Sequence, residues 1–105
     1  MVAATRDSRA RSINASDTGN YTGDGTAAVI TLGYNPVFVY VINETDATTW
    51  TKMKGMAAAN SVKTVTAGTT TVDTTSAILF NGDGTITLSA ALGASGKHIV
   101  WYAER

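Results

Sequence analysis

The chain has 105 residues, eight lysines and arginines against eight aspartates and glutamates, and no cysteine. That length suits one domain, the zero net charge gives no reason to expect nucleic acid or an anionic membrane as a partner, and disulfides, thiolate nucleophiles and cysteine zinc sites are excluded. Charged residues make up 15%, below the roughly 25% of an ordinary soluble domain, so threonine, serine, asparagine and alanine must cover much of the surface. Such groups are easier to desolvate against a protein partner than charges are.

Residues 1–22, MVAATRDSRARSINASDTGNYT, show no sustained helical or strand period. They contain no apolar core of secretory-signal length, and no run in the chain reaches a membrane-spanning length. Arg6, Arg9 and Arg11 cluster here, and the next basic residue is Lys52. The segment is expected to be an extended arm that orders on a partner. Its guanidinium groups, with Tyr21, are the candidate contact residues, since arginine forks suit carboxylates.

From Gly23 the pattern changes. Gly23-Asp24-Gly25-Thr26 is turn chemistry, and Ala27–Leu32 alternates as a strand does. Gly33-Tyr34-Asn35-Pro36 is a corner, where the proline fixes φ and pushes Asn35 to an extended conformation. Val37–Asn43 is β-branched and aromatic on both faces, the pattern of a central strand or one at an interface. Thr48–Lys52 carries Trp50, which is expected in the core. Shorter strands follow around Ser61–Thr66, Thr69–Asp73, Ala77–Phe80 and Thr85–Leu88, with Asn81-Gly82-Asp83-Gly84 as a hairpin turn. His98–Ala103 closes the chain. Gly23–Gly33 echoes Gly82–Gly93, which reads as the same turn chemistry used twice. Residues 23–105 are therefore expected to form a single-domain all-β fold, a β-sandwich or closed antiparallel barrel of about eight short strands.

Little in this chain suggests catalysis, and no enzymatic activity is expected. His98 is the only histidine and has no companion at metal-ligand spacing. No nucleophile elbow or phosphate-binding loop is present. Most carboxylates stand in turns, where aspartate bonds the backbone. Asn43-Glu44-Thr45-Asp46 offers oxygen ligands but lacks the spacing of a calcium loop. No metal or cofactor is expected.

Three segments together are more specific: Ile30-Thr31-Leu32-Gly33-Tyr34-Asn35-Pro36, Val39-Tyr40-Val41-Ile42-Asn43-Glu44-Thr45-Asp46 with Trp50 after it, and Ala94-Ser95-Gly96-Lys97 before an aromatic last strand. This combination resembles a group of small all-β structural proteins of tailed bacteriophages, over most of the chain. The resemblance implies a capsid decoration (cement) protein on the outer head surface of the virion, made in the host bacterial cytoplasm. It implies the major capsid protein as partner and a homotrimer as the assembled form. Similar glycine-aromatic-proline corners occur in tail-fibre and lectin-like domains, so a receptor- or glycan-binding module is the alternative expectation.

Overall fold

The computed structural model describes residues 2–3, 5–7, 16–92 and 94–105. Eleven strands lie among them: β1 (Val2–Ala3), β2 (Thr5–Asp7), β3 (Ser16–Thr22), β4 (Ala28–Thr31), β5 (Phe38–Asn43), β6 (Thr48–Met53), β7 (Ser61–Thr64), β8 (Thr70–Asp73), β9 (Ile78–Phe80), β10 (Thr85–Leu88) and β11 (His98–Glu104). They form a four-stranded sheet in the order β1-β4-β10-β9 and a seven-stranded sheet in the order β2-β3-β11-β5-β6-β7-β8. All neighbours are antiparallel except β1 and β4. The all-β expectation holds, and the architecture is a sandwich. The closed barrel is corrected: closure requires the end strands to pair with each other, whereas β2 and β8 stand at opposite ends of their sheet.

The two-residue period of a strand builds the core. In β11, Ile99, Trp101 and Ala103 are buried, alternating with half-buried His98, Val100 and Tyr102. Val39 and Val41 of β5 and Trp50 of β6 continue the same inner face. Ala28, Ile30, Ile86, Leu88 and Ile78 of the smaller sheet belong to the same buried cluster, together with Leu32 and Leu92. Trp50 is 4% exposed, as its place in the sequence suggested.

The expected arm of residues 1–22 is corrected in part. Ser16–Thr22 is a strand that pairs with all seven residues of β11. The sequence SDTGNYT hides this because its inward positions are Asp17, Gly19 and Tyr21 rather than three apolar residues. Gly19 lies directly opposite Trp101. Asp17 is buried and accepts a hydrogen bond from the Tyr34 hydroxyl at 3.1 Å.

The proline corner sets the start of β5. Val37 N–H donates to Glu104 O at 2.8 Å, and Lys54 N–H donates to Val37 O at 2.8 Å, so the residue after Pro36 is tied to both neighbouring segments. Asn35 Oδ1 accepts the Gly84 N–H at 2.9 Å. Gly33 and Gly84, at φ 83° and 86°, adopt the left-handed conformation that glycine tolerates, and Gly33 N–H donates to Gly84 O at 3.1 Å.

The echoed turns use one device. Thr26 donates from N–H and Oγ1 to Asp24 Oδ1 at 3.0 and 2.6 Å. Thr85 does the same to Asp83 at 3.1 and 2.6 Å. The strands that follow, β4 and β10, are antiparallel neighbours. Threonine side-chain hydrogen bonds hold both exposed carboxyls below the usual aspartate range.

Lys52 was unremarkable in the sequence, yet it is one of the largest fully buried side chains. It alternates inward from β6, and its ammonium donates to Ala57 O, Ala58 O and Asn60 O at 2.9, 3.1 and 2.7 Å. All three donors are thereby used, and the loop after β6 is pinned to the core. Burial pulls its pKa below the usual lysine range, while three carbonyls at hydrogen-bond distance favour the protonated form.

Candidate interaction surface

The outer face of the seven-stranded sheet follows from the same alternation. Cross-strand register aligns Thr18, Tyr102, Tyr40, Thr51, Val62 and Val72 in one row. A second row runs through Asn20, Val100, Ile42, Thr49, Thr64 and Thr70. A third joins Ser16, Glu104, Phe38 and Met53. From β3 to β8, the described strand residues of this face carry only two charged or chargeable groups besides tyrosine phenols, Glu104 near one end and His98 at the other. The rest is threonine, asparagine, serine, valine, isoleucine, methionine and aromatic side chains.

Tyr40 is 37% exposed, Met53 53% and Val72 58%. Phe38 and Tyr102 meet edge to face, with centroids 6.3 Å apart and planes at 65°, a favoured aromatic geometry. Tyr102 Oη donates to Glu104 Oε2 at 3.3 Å. Both faces of β5 were expected to be covered. The inner one is, but Tyr40 shows that the outer one is not.

The charged end is self-satisfied. His98 Nδ1 stands 2.6 Å from Glu44 Oε1, and both side chains are exposed. The His98 N–H donates to Thr45 Oγ1 at 3.0 Å. Asp46, considered above as a calcium ligand, instead accepts the Lys97 ammonium at 3.0 Å and the Asn43 amide at 3.1 Å. Among the described residues, no group of three or more histidine, aspartate or glutamate side chains is placed to hold a metal ion.

An open cavity of about 270 Å³ lies at one end of the sandwich, lined by Asn35, Pro36, Lys54, Phe80 and Gly82. That is at the small end for ligand pockets.

The candidate contact residues fare unequally. Arg6 lies in β2 opposite Gly19; Arg9 and Arg11 lie outside the described residues. Tyr21, read as an exposed contact in a linker, is corrected to a core residue: it alternates inward from β3 and is 7% exposed. Burial pushes its phenol up to about 12. The aromatic side chains on this face include the exposed Tyr40 and the half-buried Tyr102, which sequence reasoning left unassigned. The available signal was the strictly alternating Phe38-Tyr40-Ile42 set opposite the valines.

No family model matches the chain, and neither a curated protein nor a solved structure matches it.

Proposed function

We propose that this protein is a non-enzymatic structural subunit of a tailed-phage virion, a decoration protein that binds the outside of the head. The observation that carries the reading is the broad, nearly charge-free outer face of the seven-stranded sheet. Joined with the resemblance of the Ile30–Pro36 corner and its neighbouring segments to small phage structural proteins, it favours a role played by contact area rather than by chemistry. Such a face is cheap to desolvate, and interfaces of standard size bury about 1,600 Å². Many weak copies around a shell act together. The major capsid protein is the proposed partner and a homotrimer the proposed assembled form. Arg6, Arg9 and Arg11 are the proposed points of contact with shell carboxylates.

Add-back to particles lacking the chain tests this. Purified protein should bind in saturable stoichiometry and raise the temperature at which the particles release DNA. Tyr40→Glu with Thr51→Glu, which puts charge on the outer face, should weaken binding while the protein stays folded. Unchanged DNA-release temperature at full occupancy would overturn the stabilising role.

A second reading has one observation in its favour. Tyr40 and Tyr102 are adjacent on an accessible face, an arrangement on which sugar rings stack. A receptor- or glycan-binding module would give saturable hits on a glycan array, and these would be lost in Tyr40→Ala.

A further inference from the structure

β8 ends the seven-stranded sheet among the described residues, and the hydrogen-bond parity shows which of its backbone groups are free. Val65 N–H donates to Thr69 O at 3.1 Å, so Val65 and Thr69 form a hydrogen-bonded pair. Antiparallel pairs alternate. Lys63–Thr71 and Ser61–Asp73 are therefore bonded pairs, and Thr64–Thr70 and Val62–Val72 are not. The N–H and C=O groups of Thr70 and Val72 consequently point away from β7, toward the open side of the sheet. The chain leaving β8 does not cover that side, because it turns back to donate Ser76 N–H to Ala59 O at 3.0 Å.

Exposed edges are normally protected by lysine, proline, a bulge or a covering segment. Among the described residues, β8 has none of these. Thr70, Thr71 and Val72 are exposed, and the strand is β-branched up to Asp73, its one charge. That carboxylate is engaged within the fold. Its Oδ2 accepts Trp50 Nε1–H at 3.2 Å, and its Oδ1 accepts Thr75 N–H and Oγ1–H at 2.8 and 2.5 Å.

We propose that β8 is a self-pairing edge: it joins antiparallel to β8 of a second copy of this chain, about a twofold axis at Thr71. In this register Thr70 faces Val72 of the second copy, Thr71 faces Thr71, and Asp73 faces Thr69. Every outward N–H and C=O of Thr70 and Val72 is then paired, giving four hydrogen bonds between the copies. No like charges stand opposite each other, and the threonine pair occupies a non-hydrogen-bonded site, where side chains lie closest and threonine pairs are favourable. An edge whose one charge is engaged within the fold offers a charged foreign strand little electrostatic preference, whereas it complements itself at every position from Thr69 to Asp73. The pairing also continues the uncharged outer face of one sheet into the next. The contact is small, so it is weak between free copies and strong between copies held side by side. It is isologous and closes at two copies, so on a particle it would link neighbouring oligomers rather than build one.

The absence of cysteine makes the register directly testable in the free protein, independently of any virion role. Thr71→Cys places the only thiol of each copy opposite its counterpart. Cα atoms at such a site stand about 4.5 Å apart, within the range a disulfide spans. Under mild oxidation Thr71→Cys should form covalent dimer about tenfold faster than Thr70→Cys, because pairing raises the effective concentration of the thiols only at the matched position. Adding Val72→Pro removes an outward N–H that β7 does not use, and should lower the Thr71→Cys rate to the Thr70→Cys level. Val72→Lys, which brings two like charges to the joined edges, should do the same if the proline variant fails to fold. Equal crosslinking rates for the two cysteine positions, or no slowing in a folded Val72 variant, would overturn the proposal.

Discussion

The middle of the seven-stranded sheet and its β8 end differ more in what covers them than in what they are made of. Around β11 and β5 the inner face is closed by the smaller sheet, and Ile99, Trp101, Val39 and Val41 are all at 1% exposure or less. At β7 and β8 the chain is just as β-branched, yet every residue of β8 is exposed or half-buried. Strand propensity is satisfied in both regions, so burial follows from the overlap of seven strands on four and not from composition. The covered middle determines stability, and the overhanging end is free to make contacts.

The sharpest way to break this contrast is to truncate an aromatic side chain in the covered middle. Trp101→Ala, and Trp50→Ala across Val41 from it, should each cost about 3–5 kcal/mol, measured by chemical denaturation. Unfolding of Trp50→Ala at the wild-type temperature would place β6 with the overhang rather than the core. A smaller loss, about 2–4 kcal/mol, is expected for Lys52→Met, which takes the ammonium from Ala58 O and Asn60 O and leaves Ala57 O only the Asn60 N–H. A Lys52→Met variant as stable as wild type would show that those carbonyls find water instead.

Next comes a pH effect. Tyr21 ionises at about 12 in the folded protein, against roughly 10 unfolded. The folded state then holds more protons than the unfolded state between these values, so stability is unaffected below pH 10 and falls as pH rises from 10 toward 12. Ultraviolet titration should show one late phenol that disappears in Tyr21→Phe. The difference between the two proteins isolates the contribution of Tyr21. If the late phenol persists in Tyr21→Phe, the core assignment of Tyr21 is wrong. In acid the relevant groups are Asp24, Asp83 and Asp73. Burial would raise Asp73, but hydrogen bonds from Thr75 and Trp50 and the charge of Lys63 outweigh it and hold it low. Their contribution is present above about pH 3.9 and is lost as pH falls through their lowered values.

The smallest effects belong to the outer face of the larger sheet. Tyr102→Thr removes a cross-strand aromatic contact and should cost under about 1 kcal/mol. Val72→Ala should stay within about 0.5 kcal/mol of wild type. A loss at Val72 as large as that at Trp101 would erase the distinction between the two regions.

Much of the fold was legible because its signals are local. Pro36, the Gly-Asp-Gly turns and the alternation in Val37–Asn43 and His98–Ala103 gave the strands, and the bulky apolar residues among them gave the core. β3 was not legible, because its inward residues are Asp17, Gly19 and Tyr21, and what makes it a strand is its pairing with β11 from the far end of the chain. The burial of Lys52 was hidden for a similar reason: its partners are backbone carbonyls, which leave no mark in a sequence. The interaction surface was read at the arginines near the N-terminus. Tyr40 and Tyr102 on the outer face of β5 and β11 were missed because alternation shows that two faces differ but not which one a second sheet will cover.

Cryo-electron microscopy of the particle that carries this chain tests the proposed role most directly. The expected result is density for the β-sandwich on the outer surface of the head, with the Tyr40 and Tyr102 face of the larger sheet against a neighbouring subunit. Density confined to the tail, or a head-bound sandwich whose large-sheet face touches nothing, would contradict it.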